Sequence, residues 1–174
     1  MPIILAVIAA LGGAYIWYLR AQAAKDAAET LADAANDVRL AARRFGFRRK
    51  TNVHPIDAVE DAQLLIVGIT AAMAQLDRAW NTDLQKRLAI GAQKVLRVDS
   101  EEAGEMVVFG QWLADQSADR EEAVRRMAKR LRGMGQAEAR VQLGEMLAFA
   151  VADADGAFSD RVVDAIGTLN RHMG

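Results

Sequence analysis

The stretch LAFAVADADGAFSDRVVDAI, residues 147–166, contains an apolar run, an acidic corner with a glycine, and a second apolar-periodic run. Gly156 can adopt the left-handed conformation that ends a helix, and Ser159 or Asp160 can cap the next helix. We expect Phe158 to turn back into the core at this corner. The stretch therefore predicts two helices joined by a tight turn, and it favours an all-α fold class.

The rest of the body follows the same helical period. Between residues 57 and 173 there is no proline and no alternating strand pattern. Two capping boxes, Thr82 with Gln85 and Asp99 with Glu102, predict helix starts. The other predicted helices cover 57–76, 119–132, 136–152 and 160–172. The predicted core positions are Leu64, Leu65, Gly68, Ala72 and Leu76 on the first helix, Met106, Phe109 and Leu113 on the third, and Ala123, Val124, Met127 and Leu131 on the fourth.

A weak internal repeat becomes visible when the chain is shifted by 78 residues. LDRAWNTDLQKRLAI (76–90) then aligns with ADGAFSDRVVDAIGT (154–168). The matched pairs are Asp77 with Asp155, Ala79 with Ala157, Trp80 with Phe158, Asn81 with Ser159 and Leu88 with Ile166. The pattern predicts one helical pair used twice. Arg78 takes the place of Gly156, which would cost on the order of 1 kcal/mol if the same geometry were kept.

The acidic corner at 151–160 does not match a calcium loop. If Gly156 is aligned with the glycine of an EF-hand, Val151 and Val162 occupy the first ligand position and the bidentate glutamate position. Asp153 and Asp155 also have no nucleophile, histidine or phosphate loop nearby in the sequence. We interpret them as solvent-exposed residues at a helix end.

The corner and its degenerate copy AAMAQLDRAWNTDLQKRLAI (71–90) resemble the tellurite-resistance TerB-like family. The resemblance covers roughly residues 57–172 and implies an all-helical bundle with internal duplication. It also implies divalent metal binding and a role in stress responses near the membrane, with Asp77, Asp153 and Asp155 as the metal ligands. The acidic residue that the family carries on the following helix falls on Val162 and Leu84, so this chain departs from the family's ligand set.

The N-terminal residues 1–19 predict a transmembrane anchor. Residues 2–19 carry no charge and would span roughly 27 Å as a helix. Trp17 and Tyr18 end the run, and Arg20 follows it. The positive-inside rule places Met1 outside and the body in the cytoplasm, as a single-pass protein of a bacterial-type inner membrane. A cleaved signal peptide is the competing interpretation, since the triplet at 21–23 is small-x-small, but a basic n-region is absent.

Residues 20–50 predict an Ala-rich helical stem with a basic end. Leu31, Val38 and Phe45 recur every seven residues and mark a seam for a close helix contact. The seam could contact the chain's own domain, a partner subunit or a second copy of the stem. Gly46 is expected to end this helix within RRFGFRRK (43–50), and residues 51–56 are expected to link the stem to a helical domain at 57–174. The layout is similar to the N-terminal part of membrane-anchored DnaJ-like proteins, without the His-Pro-Asp motif of a J-domain.

Composition excludes several function classes. Lys and Arg total 22 against 23 Asp and Glu, so no general nucleic-acid binding is expected. There is no cysteine and there are only two histidines, which excludes thiolate and His-rich metal sites. Residues 120–132, however, carry six basic and two acidic side chains. Arg125, Lys129 and Arg132 share one face of this predicted helix and are candidates for docking on an acidic subunit or an anionic membrane.

These observations predict a membrane-anchored, non-enzymatic accessory or scaffold protein whose domain binds a larger inner-membrane protein complex. The alternative is a membrane-tethered, metal-responsive stress or sensor domain. No cofactor is expected apart from the divalent metal that the family resemblance implies.

Overall fold

The computed structural model describes residues 35–48, 52–135, 137–152 and 156–173, and every regular element in these ranges is helical. The chain divides into two compact units, residues 1–37 and 38–174. The second unit contains helical residues 38–44 and a 3₁₀ turn, Pro55–Ala58. Six further α-helices follow in the described residues: α1 (Ala62–Ala74), α2 (Thr82–Leu96), α3 (Ser100–Ala114), α4 (Arg120–Gly133), α5 (Ala137–Ala150) and α6 (Asp160–Met173). The predicted all-α class is confirmed for these residues.

Capping side chains fix where four of the helices begin. The caps are Asp61 for α1, Asn81 for α2, Asp99 for α3 and Asp119 for α4, each accepting a hydrogen bond from a backbone N–H of the first turn. The prediction for α3 is confirmed, since the Asp99 carboxylate accepts from the Glu102 N–H at 2.8 Å. The prediction for α2 is wrong by one residue, because the Asn81 side chain, not that of Thr82, accepts from the Leu84 N–H at 2.9 Å.

Helix α1 is the centre of the bundle. It packs against α3, α4 and α5 and also contacts α2 and α6. Every residue of α1 except Gln63 is buried, so the single apolar face predicted from the sequence is too narrow. A helix surrounded by other helices has no solvent side, and its sequence is apolar all round. Its one buried hydroxyl, on Thr70, donates to the Ile66 carbonyl at 2.8 Å, which satisfies it inside the helix.

The two corners of the proposed repeat have side-chain caps at equivalent positions, but the backbone conformations of their turns differ. The Ser159 hydroxyl accepts from the Val162 N–H at 3.3 Å, in the place that Asn81 takes at the first corner. Trp80 and Phe158 are both half-buried against the core, as predicted for Phe158. Gly156 has a φ of 82°, whereas Arg78 is not among the residues with positive φ. The first corner therefore avoids the strain expected for Arg78 by taking a different path.

Residues 45–48 close the N-terminal helical segment and lie on α3. Gly46, with a φ of 64°, donates its N–H to the Arg43 carbonyl, and the Phe47 N–H reaches the Ala42 carbonyl. This is a Schellman ending, and it confirms that the helix stops at Gly46. The Phe47 ring then lies 5.2 Å from Phe109 and 5.6 Å from Trp112, between ring centroids. The compact unit thus begins before the predicted domain start at residue 57.

Candidate functional site: a basic groove on helix α4

Helix α4 has one buried face and two rows of basic side chains. Its buried residues are Ala123, Val124, Met127, Ala128 and Leu131, which include the four predicted core positions. Arg126 and Arg130 flank this apolar face and are half-buried, whereas Arg125, Lys129 and Arg132 are exposed. The helical period that buries the apolar residues places the charges on these two rows.

The inner row of basic side chains, Arg126 and Arg130, holds the 3₁₀ turn against α4. The Arg126 guanidinium donates from Nε to Oδ1 of Asp57 at 3.1 Å and from Nη2 to Oδ2 at 2.5 Å. Arg130 donates from Nε to the Val59 carbonyl at 2.8 Å. The hydrogen bonds from Arg126 hold the pKa of the Asp57 carboxyl below its usual value of 3.8, so this side chain is ionised at neutral pH. Ile56, which lies in the same turn, is fully buried.

The outer row of basic side chains, Arg125, Lys129 and Arg132, is exposed and makes few polar contacts. Neither Arg125 nor Lys129 has an ion-pair or hydrogen-bond partner within the ranges that the structure describes. Arg132 makes one weak contact, from Nη1 to the His172 carbonyl at 3.5 Å. The outer row therefore keeps its hydrogen-bond donors available to a ligand.

A groove of about 720 Å³ lies between α4, the 3₁₀ turn and the end of α6, and it is lined by both arginines of the inner row and by Arg125 and Lys129 of the outer row. Its lining residues are Asp57, Glu122, Arg125, Arg126, Lys129, Arg130, Gly133 and His172. The charged side chains give the groove a net charge of +2 with His172 neutral. Guanidinium and ammonium groups are donors that stay charged at neutral pH, so the groove is suited to bind anionic groups.

The acidic corner predicted as a metal site is only partly described. Asp77 is exposed and accepts a hydrogen bond from the Ser159 hydroxyl. Arg161 of α6 donates to the Leu76 carbonyl at 2.9 Å, and Arg87 of α2 donates to the Ala152 carbonyl at 3.4 Å. These three contacts bring the two corners of the repeat together.

The remaining predicted metal ligands, Asp153 and Asp155, lie outside the described residues. Within the described ranges no group of three or more His, Asp or Glu side chains is arranged to hold a metal ion. Val162 and Leu84, which stand where the TerB-like family has its further acidic residue, are 2% and 5% exposed. Both positions belong to the hydrophobic core, where an unpaired carboxylate would be costly to bury.

The predicted seam of the stem divides between the described and undescribed parts of the chain. Leu31 lies outside the described residues, and Val38 is half-buried. Phe45 packs on its own domain, with 6.4 Å between its ring centroid and that of Phe109. The contact with the chain's own domain, one of the alternatives considered for the seam, is therefore the one that Phe45 makes.

Sequence reasoning missed several residues that organise these surfaces. Arg44 pairs with Glu101 at 3.0 Å and Glu105 at 3.1 Å, which ties residue 44 to α3. Asp57 was predicted as the first residue of the domain and of a helix, although it lies in the 3₁₀ turn before Ala62 and lines the groove. The aromatic residue directly after Gly46 was a usable signal, because Schellman endings commonly bring an apolar residue back onto the structure.

The membrane anchor was predicted for residues that the structure does not describe. In the ranges that the structure covers, no helix is both long enough and apolar enough to cross a bilayer. The predicted anchor at residues 2–19 lies outside those ranges.

Comparison of the chain with protein-family models, with curated proteins and with solved structures finds no match in any of the three. The resemblance to TerB-like proteins therefore stays a prediction made from the motif at residues 147–166.

Proposed function

We propose that this chain is a non-enzymatic accessory or scaffold protein, anchored in an inner membrane by residues 2–19, whose cytoplasmic helical domain binds a larger membrane-protein complex. The observation that carries the proposal is the outer row of α4. Arg125 and Lys129 are exposed and line a groove, and neither forms an ion pair or a hydrogen bond with a described residue. An acidic surface of a partner would pair with them.

The chemistry of the groove supports anion binding. Three arginines and one lysine line it together with His172. Guanidinium and ammonium groups are hydrogen-bond donors without acceptor atoms. They orient and attract anions, and that is the behaviour expected of a docking surface.

The test is purification of the tagged full chain in mild detergent, followed by mass spectrometry of the proteins that copurify. We expect a stoichiometric membrane complex with the wild type, reduced about fivefold or more in Arg125→Glu/Lys129→Glu. The matched control is Lys86→Glu/Arg97→Glu, two exposed residues of the α2 region with the same change in net charge. Purification of the wild-type chain alone would overturn the proposal.

The metal-responsive alternative is favoured by one observation, the contact of Asp77 with Ser159, since it joins the two acidic corners of the chain. In that function Asp153 and Asp155 would supply the further carboxylates. This alternative ranks second for two reasons. Asp77 already accepts a hydrogen bond, and the positions at which the TerB-like family has a further acidic residue are the apolar Val162 and Leu84.

A further inference from the structure

The groove already contains one bound carboxylate, which belongs to the chain itself. Asp57 is held by both nitrogen donors of the Arg126 fork, the geometry with which arginine recognises carboxylates in general. The pair is not sealed from solvent, since the Arg126 side chain is 36% exposed and that of Asp57 is 41% exposed. A carboxylate from another molecule can therefore reach the same guanidinium.

We propose that the groove binds an acidic segment of a partner protein, and that Asp57 is an intramolecular competitor occupying part of this site when the partner is absent. This inference rests on the proposed function and names the chemistry of the partner. The segment carries at least three carboxylates, two for Arg125 and Lys129 of the outer row and one that displaces Asp57 from Arg126.

The spacing of the outer row defines what the segment presents. Arg125 and Lys129 are four residues apart on one helix, which places their side chains about 6 Å apart at Cβ. A partner helix with Asp or Glu at positions i and i+4 has the same spacing. Such a helix lying along α4 would pair both outer charges at once and bring a further carboxylate toward the floor.

The shape and charge of the groove favour a protein segment over a membrane surface. Arg126 and Arg130 are half-buried, whereas Arg125 and Lys129 are exposed, so side chains that extend from a partner segment reach all four more readily than a flat layer of headgroups does. Asp57 and Glu122 lie among the basic residues of the lining. A segment with carboxylates at defined positions can pair with the basic groups and avoid these two, which a uniformly anionic surface cannot do.

The direct experiment measures binding of a labelled peptide to the purified full chain in neutral detergent micelles. The probe is a fluorescein-labelled helical peptide with Glu at two positions four residues apart and a third Glu between them, and the control peptide has Gln at all three positions. Fluorescence anisotropy gives the Kd for the wild type and for four variants. We expect binding of the Glu peptide that weakens as NaCl is raised, because exposed charges are screened, and no binding of the Gln peptide.

The variants separate the two parts of the proposal. Asp57→Asn removes the competing charge, so the peptide should bind about threefold tighter, which is the scale of one surface ion pair. Asp57→Glu keeps a competing carboxylate and should bind close to the wild type. Arg125→Glu/Lys129→Glu should bind at least about fivefold more weakly, and Lys86→Glu/Arg97→Glu should be unchanged within about twofold.

Several outcomes would overturn the inference. Equal affinity of the wild type and Asp57→Asn, with the thermal midpoint unchanged, removes the competitor role. Equal loss of affinity in the two charge-reversed variants assigns binding to net charge and not to the groove. If phosphatidylserine added to the micelles binds in a way that Arg125→Glu/Lys129→Glu abolishes while the peptide does not bind, the groove is a lipid site.

Failure of this inference is distinguishable from failure of the proposed function. A membrane complex that copurifies equally with the wild type and Arg125→Glu/Lys129→Glu would keep an accessory function and overturn the groove as the docking site. Peptide binding with the expected variant order, but no complex in the purification, would support the groove chemistry and overturn the membrane-complex function.

Discussion

Replacement of Gly110 by alanine tests the central packing of the fold, because α3 lies directly against the backbone of α1 at this residue. A Cβ added at Gly110 would lie 3.0 Å from Cγ1 of Val67, 3.1 Å from the backbone nitrogen of Gly68 and 3.2 Å from the carbonyl carbon of Val67. Two of these three atoms belong to the backbone of α1, which cannot rotate away as a side chain can. The added methyl group therefore has to push the two helices apart.

Two opposing contributions set the expected change in the free energy of unfolding. Alanine is favoured over glycine inside a helix by about 1 kcal/mol. Overpacking of a well-filled core typically costs about 1–3 kcal/mol. Gly104 lies on the same helix with nothing within 4 Å of its added Cβ, so Gly104→Ala contains the first term alone. We expect Gly104→Ala to stabilise the protein by up to about 1 kcal/mol and Gly110→Ala to be about 2 kcal/mol less stable than that control.

The assay is urea and thermal unfolding of the purified full chain, followed by circular dichroism at 222 nm. For a domain of this size a change of 1 kcal/mol corresponds to a shift of roughly 4 °C in Tm. The two alanine variants should therefore differ by roughly 8 °C. Gly144→Ala, at an exposed position of α5 with open space around it, is a second control and should behave as Gly104→Ala does. Equal stability of Gly110→Ala and Gly104→Ala would refute the close crossing of α1 and α3.

Three further predictions concern the groove, the stem end and the corner. The pKa of the Asp57 carboxyl is lowered in the folded state, so its ion pair stabilises the protein at pH values above the usual pKa of 3.8, and this stability is lost as the pH falls through the lower, folded pKa. The difference in unfolding free energy between wild type and Asp57→Asn should be below about 1 kcal/mol at pH 7 and vanish at strongly acidic pH. A difference that grows on acidification would contradict this. Phe47→Ala removes a half-buried ring between two aromatic neighbours and should lower the free energy of unfolding by about 2 kcal/mol, with faster tryptic cleavage in 43–50; an unchanged urea midpoint would show that the ring contacts contribute nothing. The metal-responsive alternative requires calorimetric binding of a divalent cation by the wild type that is lost in Asp153→Asn/Asp155→Asn, and equal heats for both proteins would exclude it.

Local patterns predicted most of the elements, because the signals that start and stop helices are local. The cap at Asp99 and the ending at Gly46 depend on residues within five positions of each other, and both are found as predicted. The cap of α2 shows the limit, since Asn81 and Thr82 are both good capping residues and spacing alone did not rank them. The all-round burial of α1 was visible in LLIVGITAAMA (64–74), but assuming an amphipathic helix assigned it only one face.

Contacts between distant residues could not be predicted in the same way. The pair of Asp57 with Arg126 joins positions 69 residues apart, and that of Arg161 with the Leu76 carbonyl joins positions 85 apart. Neither pairing leaves a periodic trace, since a single polar contact depends on how whole helices are placed. The sequence therefore indicated that α4 is basic, and only the fold separated charges used for folding from charges that remain free.

Lys129 shows which charge of α4 is left without a counter-charge by the fold. On a helix a side chain interacts mainly with positions three and four residues away, and like charges there cost about 0.2–0.5 kcal/mol per pair. For Lys129 these positions are Arg125, Arg126, Arg132 and Gly133, so it has three basic neighbours and no acidic one. Arg126 is neutralised by Asp57, and Arg125 has two glutamates, Glu121 and Glu122, at the same helical spacing. Lys129 is therefore the exposed basic side chain of the groove whose repulsion no acidic neighbour on α4 offsets, and an acidic partner in the groove would turn this charge into a favourable interaction.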